Sequence, residues 1–575
     1  MRIFTKIFLF IPGLIAIVVT LLSGCAITRA PEAMDVGVQP DLARHSDEFR
    51  KEIITVTDGV HVAIGYGLAN SILIEGDDGV IIVDTLESVE AAIPVKKAFD
   101  SITSKPVKAI IYTHNHADHI FGATVFAGDD NPDVYSHETT LYYIDRILSI
   151  IRPTIYRRSM RQFGTLLPEG GLINAGIGPR LVYDMTKTTG LMRPNRTFSG
   201  ERLDLEIAGV KLELFLAPGE TNDQIFVWLP EKKTLLCADN YYKSFPNLYA
   251  IRGTAYRDLN LWVKSIDKMR QLRPEYLVPG HTRPVTGADN IYETLTNYRD
   301  AIQFVHDQTI RHMNLGLTPD EIVERVKLPP HLANLPYLHE YYGTVPWSVR
   351  AVYNGYVGWF DGNPTNLFPL PPRERAERFA EIAGGKERVL GQAGKAVSDG
   401  DYQWALELTD YLLVLEPGME EARNLKAEAL KALGERQIAA TARNYCLTRA
   451  LELEGKIFIG EQEIRDRDLV HSIPLAAIFN SMAVSLNAKK SADVERVVGF
   501  RFPDTGDVFT VHVRRGVAEI QPSLPENPDN TVTVNSLVWK EIVAGMRNPA
   551  LALVKGDISI EGGTFELVKF LALFK

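Results

Sequence analysis

The residues best able to do chemistry lie in one short stretch, IIYTHNHADHI, from Ile110 to Ile120. It places His114, His116, Asp118 and His119 directly after an apolar run. His114 and His116 are two apart, so at an extended strand end their side chains leave on the same side. Asp118 and His119 follow where strand gives way to loop and helix. Neutral imidazole and carboxylate suit zinc and related divalent ions. Four such groups are more than a single catalytic zinc with an open position requires. The stretch fits two metals better, with further ligands drawn from elsewhere in the chain.

Layered α/β folds gather functional residues beyond the carboxyl ends of their strands. Three later runs end in an ionisable residue: KLELFLAPG is followed by Glu220, TLLCA by Asp239 and EYLVPG by His281. Each alone reads as a turn or helix-cap residue; with His114 to His119 they read as a set. Asp84 ends the run VIIVD. It reads either as a turn residue or as a partner that orients a ligand histidine.

The elements that must position these residues follow from the hydrophobic pattern. HVAIGYGLANSILIEGDDGVIIVDT reads as two strands around a Gly-Asp-Asp-Gly turn, and SVEAAIPVKKAFDSI as a helix. VKAIIYT, KLELFLA, IFVWLP, TLLCAD and EYLVPG read as further strands, with the helix RDLNLWVKSIDKMRQL before the last. Strands and helices alternate to about residue 290, the mark of an α/β layered domain. From there to about 450 the spacing is helical. DYQWALELTDYLLVLEPGMEEARNLKAEALKALGERQ reads as a helix pair, either tetratricopeptide-like or part of a generic bundle. After Glu454 the pattern is that of a compact α+β unit. Cys237 sits in the apolar run TLLCAD and reads as a core residue.

The chain has 575 residues, 45% of them hydrophobic and 23% charged, with a formal net charge of −10. That composition is ordinary for a globular protein, and the acidic balance argues against a nucleic-acid partner. The N-terminus has the layout of a secretory signal: Arg2 and Lys6, then FLFIPGLIAIVVTLL, then small residues. Leu22-Ser23-Gly24-Cys25 resembles a bacterial lipoprotein box, which implies lipidation of Cys25 and a membrane-tethered periplasmic protein. A plain signal peptide and an uncleaved anchor are the alternatives. Residues 25–45 carry few large apolar groups and read as a tether. The other cysteines, Cys237 and Cys446, are far apart and form no disulfide framework.

THNHADH matches the His-x-His-x-Asp-His motif of the metallo-β-lactamase superfamily. That superfamily usually has a histidine after a Pro-Gly turn, where this chain has Ala217-Pro218-Gly219-Glu220. The exchange, within APGETNDQIFVWLP, resembles the alkyl sulfatase branch. Val352 to Pro372, VYNGYVGWFDGNPTNLFPLPP, is similar to the helical dimerisation domain of that branch. The last segment, with VKGDISIEGG, looks like a sterol-carrier-protein-type domain. The resemblance implies an αββα sandwich over 46–300, an α-helical dimerisation domain over 301–453 and an α+β sterol-carrier-like domain over 454–575. It also implies a homodimer and an amphiphilic alkyl sulfate substrate.

Carried over by position, the resemblance implies two zinc ions. His114, His116 and Glu220 hold one, Asp118, His119 and His281 the other, and Asp239 bridges them. Arg252 and Arg257 match two arginines of the family pattern and are expected to handle the sulfate, with Asn247 and Tyr249 as further wall residues. Three departures stand out. Asp239 replaces a glutamate. NYYKSFP lies where the family often has histidines. Trp347 is near another expected histidine. Lys243 or a tyrosine could then supply a proton to the leaving group. Two other readings remain open at this point: hydrolysis of another anionic ester, such as a phosphodiester or lactone, and lipid binding with a vestigial metal site.

Overall fold

The computed structural model describes residues 33–184, 186–460 and 467–574. Two sheets lie face to face. The first contains β1 (Glu52–Thr57), β2 (Val60–Ile64), β3 (Ser71–Glu75), β4 (Val80–Val83), β5 (Val107–Ile111), β6 (Asp133–His137) and β7 (Arg196–Phe198), in that order. It is antiparallel from β1 to β4 and parallel from β4 to β7. The second contains β8 (Arg202–Ile207), β9 (Val210–Leu216), β10 (Ile225–Leu229), β11 (Thr234–Ala238), β12 (Tyr276–Pro279) and β13 (Val285–Thr286), in the order β13-β12-β11-β10-β9-β8.

Alternation along the strands explains the layering. In β3, Ile72 and Ile74 point between the sheets while Leu73 faces outward, yet all three are buried. Both faces of the first sheet are therefore covered. Its outer face is covered by helices, chiefly through Ala91, Val95 and Phe99 of the helix Val89–Asp100. Each such buried aliphatic or aromatic side chain contributes about 1.5–3 kcal/mol. The second sheet is covered by Leu259–Gln271 and Ala288–Asn314, through Trp262, Ile266, Leu295 and Ile302. The result is the expected αββα sandwich.

The helical segment does not begin at a break in packing. Ala288–Asn314 is one helix that runs through residue 300, and a single core joins Phe226 and Leu235 of the second sheet to Val305, Ile322 and Val349. Further on, Lys386–Asp399, Tyr402–Leu415, Glu420–Glu435 and Ala440–Leu453 pack on one another in sequence. The helix pair around the Pro417 turn is thus part of a longer stack. The C-terminal unit is a five-stranded sheet with helices, filled by Phe479, Phe500, Phe509 and Trp539. Its helix Leu475–Ser485 packs against the π-helical turn Arg146–Ile151 of the sandwich.

The expected tether needs correction where it is described. Residues Pro40–His45 form a helix, α1, whose Leu42 is buried against Tyr341 and Ala440. The Arg443 guanidinium donates to the Gly37 carbonyl at 2.8 Å. A single leucine and a histidine suffice to dock this segment, which is why its low apolar content misled. The signal sequence and Cys25 lie outside the described residues.

His45 shows what the docking costs. Its ring stacks on Tyr341 with centroids 4.0 Å apart, and Nε2 lies 2.9 Å from the Gly176 carbonyl. Burial lowers its pKa from 6.5 to about 4, against the opposing pull of Gly176 and Glu48. The folded value lies below the ordinary one, so docking is favoured fully above pH 6.5 and weakens as pH falls toward 4. At about 1.4 kcal/mol per pKa unit the whole effect is about 3 kcal/mol. Hydrogen exchange across residues 40–49, corrected for intrinsic rates, is expected to accelerate over that fall in pH. His45→Asn should remove the dependence. Constant protection in the wild type across the range would contradict the role of His45.

Candidate metal centre and active site

The seven residues singled out as ligands come together at one edge of the sandwich. His114 to His119 follow β5, Glu220 follows β9, Asp239 follows β11 and His281 follows β12. All seven are buried. β11 and β12 are parallel, and β9 runs in the same direction two strands away, so their ends share an edge. The sheets are tied there by the Ile225 N–H to the Thr113 carbonyl at 2.9 Å and the Asn70 N–H to the Gly280 carbonyl at 2.7 Å.

Three groups have ligand atoms within 4.8 Å of one another: His114, His119 and Asp239; Asp118, His119 and His281; and His116, Glu220 and Asp239. Asp239 and His119 each belong to two of them. The histidines are aimed by their outer nitrogens. His119 Nδ1 lies 2.7 Å from Asp84 Oδ2, and His281 Nδ1 lies 2.8 Å from the Leu68 carbonyl. His114 Nδ1 lies 3.0 Å from the Thr113 hydroxyl, which donates to Asp84 Oδ2 at 2.8 Å. Asp84 also accepts the Thr113 N–H at 2.8 Å.

Two of the inner atoms lack a hydrogen-bond partner. His119 Nε2 and Asp239 Oδ1 are fully buried without a hydrogen bond among the described residues, 3.5 Å from each other. Burying such atoms unsatisfied is costly, and a divalent cation would satisfy both. The donor set, imidazole nitrogen with carboxylate oxygen, fits such an ion. Electrostatics prepares it. Burial holds His114 and His116 well below the usual histidine pKa, and Arg252 adds to this at His116, so both are neutral. Burial opposes ionisation of Asp239, but His281, His119 and His114 outweigh it and hold the carboxylate charged.

The backbone is strained around these groups. Asp84 (φ 59°), Ala238 (φ 50°) and Thr282 (φ 68°) are left-handed without being glycine. Each is itself an orienting residue or adjoins a ligand, a strain that close packing must sustain. Glycine is required nearby for space: a Cβ at Gly280 would lie 2.5 Å from Asp239 Oδ1 and 3.2 Å from His119 Cε1.

The residues expected to serve the reaction are placed less uniformly. A guanidinium nitrogen of Arg252 lies 2.9 Å from His116 Nε2, and Arg252 lines the cavity over the ligands. Arg257 is buried, pairs with Glu220 at 3.1 Å and donates to the Asn247 carbonyl. Asn247 therefore acts through its backbone. Lys243 is not brought to the ligands: its ammonium pairs with Glu48 at 3.0 Å, which ties the N-terminal segment to the sandwich. Tyr249 and Trp347 line a separate pocket. The proximity of Lys243 in sequence to Asp239 was misleading because the chain turns away after Asn240.

Two tyrosines stand in the stretches where the family has histidines, and a tyrosine is one of the two proton donors expected there. The Tyr242 hydroxyl donates to Glu220 Oε2 at 3.1 Å and accepts the Asn247 N–H at 2.8 Å. Tyr342 lines the cavity with His116, Asp118 and Arg252. Burial raises both hydroxyls well above the usual phenol pKa, so both keep their protons. Their signals were present in NYYKSFP and YYGTVPWSV, but nothing in the spacing said which tyrosine faces inward. The cavity itself is mostly apolar, with Ile120, Phe121, Leu148, Met160, Phe163 and Leu181 in its wall.

Gly280→Ala is expected to displace Asp239 and weaken metal retention by about 10–100-fold, the usual cost of disturbing the support of a ligand. Metal content after dialysis against a graded chelator series, with circular dichroism as a check on folding, measures this. Undiminished retention by a folded variant would contradict the close packing inferred at Gly280.

Comparison with known proteins agrees with this geometry. The metallo-beta-lactamase superfamily model matches residues 64–281, the alkyl sulfatase dimerisation model 318–456 and the alkyl sulfatase C-terminal model 463–575. The chain is 38% identical over 520 residues to a linear primary-alkylsulfatase of Pseudomonas sp. (strain ATCC 19151), covering 87% of this chain and 98% of that one. It is 30% identical over 523 residues to an (R)-specific secondary-alkylsulfatase of Pseudomonas sp., covering 88% and 78%. The solved structure of a stereoselective inverting sec-alkylsulfatase from Pseudomonas sp. superposes with a TM-score of 0.88 at 28% identity, over 94% of this chain and 88% of that one. With all three family models in order along one chain and the ligand-type residues converging as described, the chain belongs to the alkylsulfatase family of the metallo-β-lactamase superfamily.

Proposed function

We propose that this protein is an exported, binuclear zinc alkyl sulfatase that hydrolyses alkyl sulfate esters to alcohol and sulfate. The observation that carries this reading is the junction at Arg252: a buried metal-type cluster opens there into an apolar cavity. An amphiphilic anion needs that pairing of environments. The names of the relatives, linear primary-alkylsulfatase and secondary-alkylsulfatase, point the same way.

In this reading His114, His116 and Glu220 would hold one zinc and Asp118, His119 and His281 the other, with Asp239 available to both. The two ions would supply Lewis acidity and make a water nucleophilic near neutral pH. The chain does the rest. Arg252 binds and orients the sulfate group by charge-assisted hydrogen bonds. Arg257, through its pair with Glu220, holds that ligand in place. The apolar cavity takes the alkyl chain, gaining about 0.8 kcal/mol per buried CH₂.

The homodimer is proposed from the segment around Val352 to Pro372, where Trp359 and Phe368 are 71% and 87% exposed. Large apolar groups so exposed call for a cover, and the alkyl sulfatase dimerisation model includes this segment. Export and lipidation at Cys25 are proposed from the N-terminal sequence alone. Sedimentation at micromolar concentration is expected to give twice the chain mass. Mass spectrometry of the membrane fraction is expected to find a diacylated Cys25 at the mature N-terminus. A monomer, or an unmodified N-terminus, would overturn the respective proposal.

The reaction is tested by metal analysis together with sulfate release from dodecyl sulfate. About two zinc ions per chain and release of inorganic sulfate are expected. His116→Ala should abolish hydrolysis with the fold retained, and Arg252→Ala should lower kcat/KM by about 10²–10³-fold. Zinc without sulfate release across alkyl chain lengths would refute the substrate class. Unchanged turnover in His116→Ala would refute the site.

A further inference from the structure

A second cavity adjoins the first and is richer in arginine. Asn115, His116, Glu220 and Arg252, with Ile147 and Ile155 as a ridge, line both. Beyond those shared residues the first cavity is walled mostly by aliphatic and aromatic groups, with Asp118, Asp239 and Arg152 among them, while the second adds Arg146, Arg158, Arg257, Thr221 and Asn222 to a lining that is still largely apolar. Four arginines line the second cavity against one carboxylate, Glu220, in a chain whose formal net charge is −10.

Three of these arginines are already engaged. Arg158 donates to the Arg252 and Ile251 carbonyls at 2.7 and 2.6 Å, which fixes the loop that carries Arg252. Arg257 pairs with Glu220, and Arg252 lies against His116. Arg146 is different. It is half-buried at the start of the π-helical turn, and no hydrogen bond or ion pair engages its guanidinium among the described residues. Beside it, the Tyr143 hydroxyl accepts the Asn222 amide at 3.1 Å, so the adjoining rim is ordered.

The proposed reaction divides a monoanion into products of opposite polarity. Water and R–O–SO₃⁻ yield R–OH, SO₄²⁻ and one proton. The alcohol keeps its affinity for the apolar cavity. The sulfate has gained a charge, so each nearby cation favours it over the ester head group from which it came. We propose that the arginine-lined cavity is an inorganic-sulfate site that receives the product anion, with Arg146 as its free cation. The inference rests on the alkyl sulfatase reading for the origin of the sulfate, but the site can be tested without turnover.

The test is titration calorimetry of inorganic sulfate into the full-length, zinc-loaded protein, with ionic strength held constant by sodium chloride. Arg146→Gln is expected to weaken sulfate binding about tenfold, and Arg146→Lys to retain it within about threefold. Sulfate inhibition of dodecyl sulfate hydrolysis should weaken in parallel, by more than any change in KM. Wild-type affinity in Arg146→Gln, or no sulfate binding by the wild type, would overturn the proposal. So would equal losses in sulfate inhibition and KM, which would mean one head-group site. Failure of the wild type to hydrolyse any alkyl sulfate would instead refute the proposed function, while calorimetry would still decide the cavity.

Discussion

The contact between His119 and Asp84 governs the rest of the site. At 2.7 Å it occupies the outer nitrogen of a fully buried imidazole and turns the inner one toward Asp239, Asp118 and His281. Asp84 has its other bonds from Thr113, whose hydroxyl also meets His114. One carboxylate at the end of β4 therefore sets the direction of two histidines beyond β5. A buried cluster so arranged turns imidazole nitrogens and carboxylates toward one another, a polar demand that a cation would meet.

That demand explains where strain is kept. Asp84, Ala238 and Thr282 all hold left-handed backbone at this edge, and Gly280 is tight against Asp239. The two sheets, packed through Val62, Ile72, Val227 and Val278, form the rigid frame against which such conformations persist. The C-terminal unit and α1 add further constraint from outside. One packs on the turn that walls both cavities; the other is pinned by Arg443, Tyr341 and Gly176.

Polarity is divided around this frame. Ile147 and Ile155 line both cavities, between a mostly hydrocarbon wall and one that carries four arginines, and both cavities meet at His116, Glu220 and Arg252. The helical segment from Thr139 to Gln162 supplies residues to both walls because its π-helical turn and the following helix expose different faces to each. The insertion between β6 and β7 supplies Arg146 and Arg158, and the loop after β11 supplies Arg252 and Arg257.

Much of this was legible in the chain. His114, His116, Asp118 and His119 are neighbours, so their common purpose needs no fold to read. Glu220, Asp239 and His281 could be found because each follows an apolar run, and strand ends in layered folds share an edge. Asp84 was visible only as one of two readings, since a turn carboxylate and an orienting one look alike until distance is known. Lys243 was misplaced for the same reason: four residues after Asp239 it faces Glu48, and the direction of a turn is not written in its spacing. The sequence by itself determined the donor set, the order of the domains and the family. Only the tertiary structure decided which arginine is spent on a ligand and which stays free, which tyrosine faces inward, and that residues 40–45 dock instead of tethering. Those outcomes depend on contacts between segments far apart in the chain, where local periodicity carries no information.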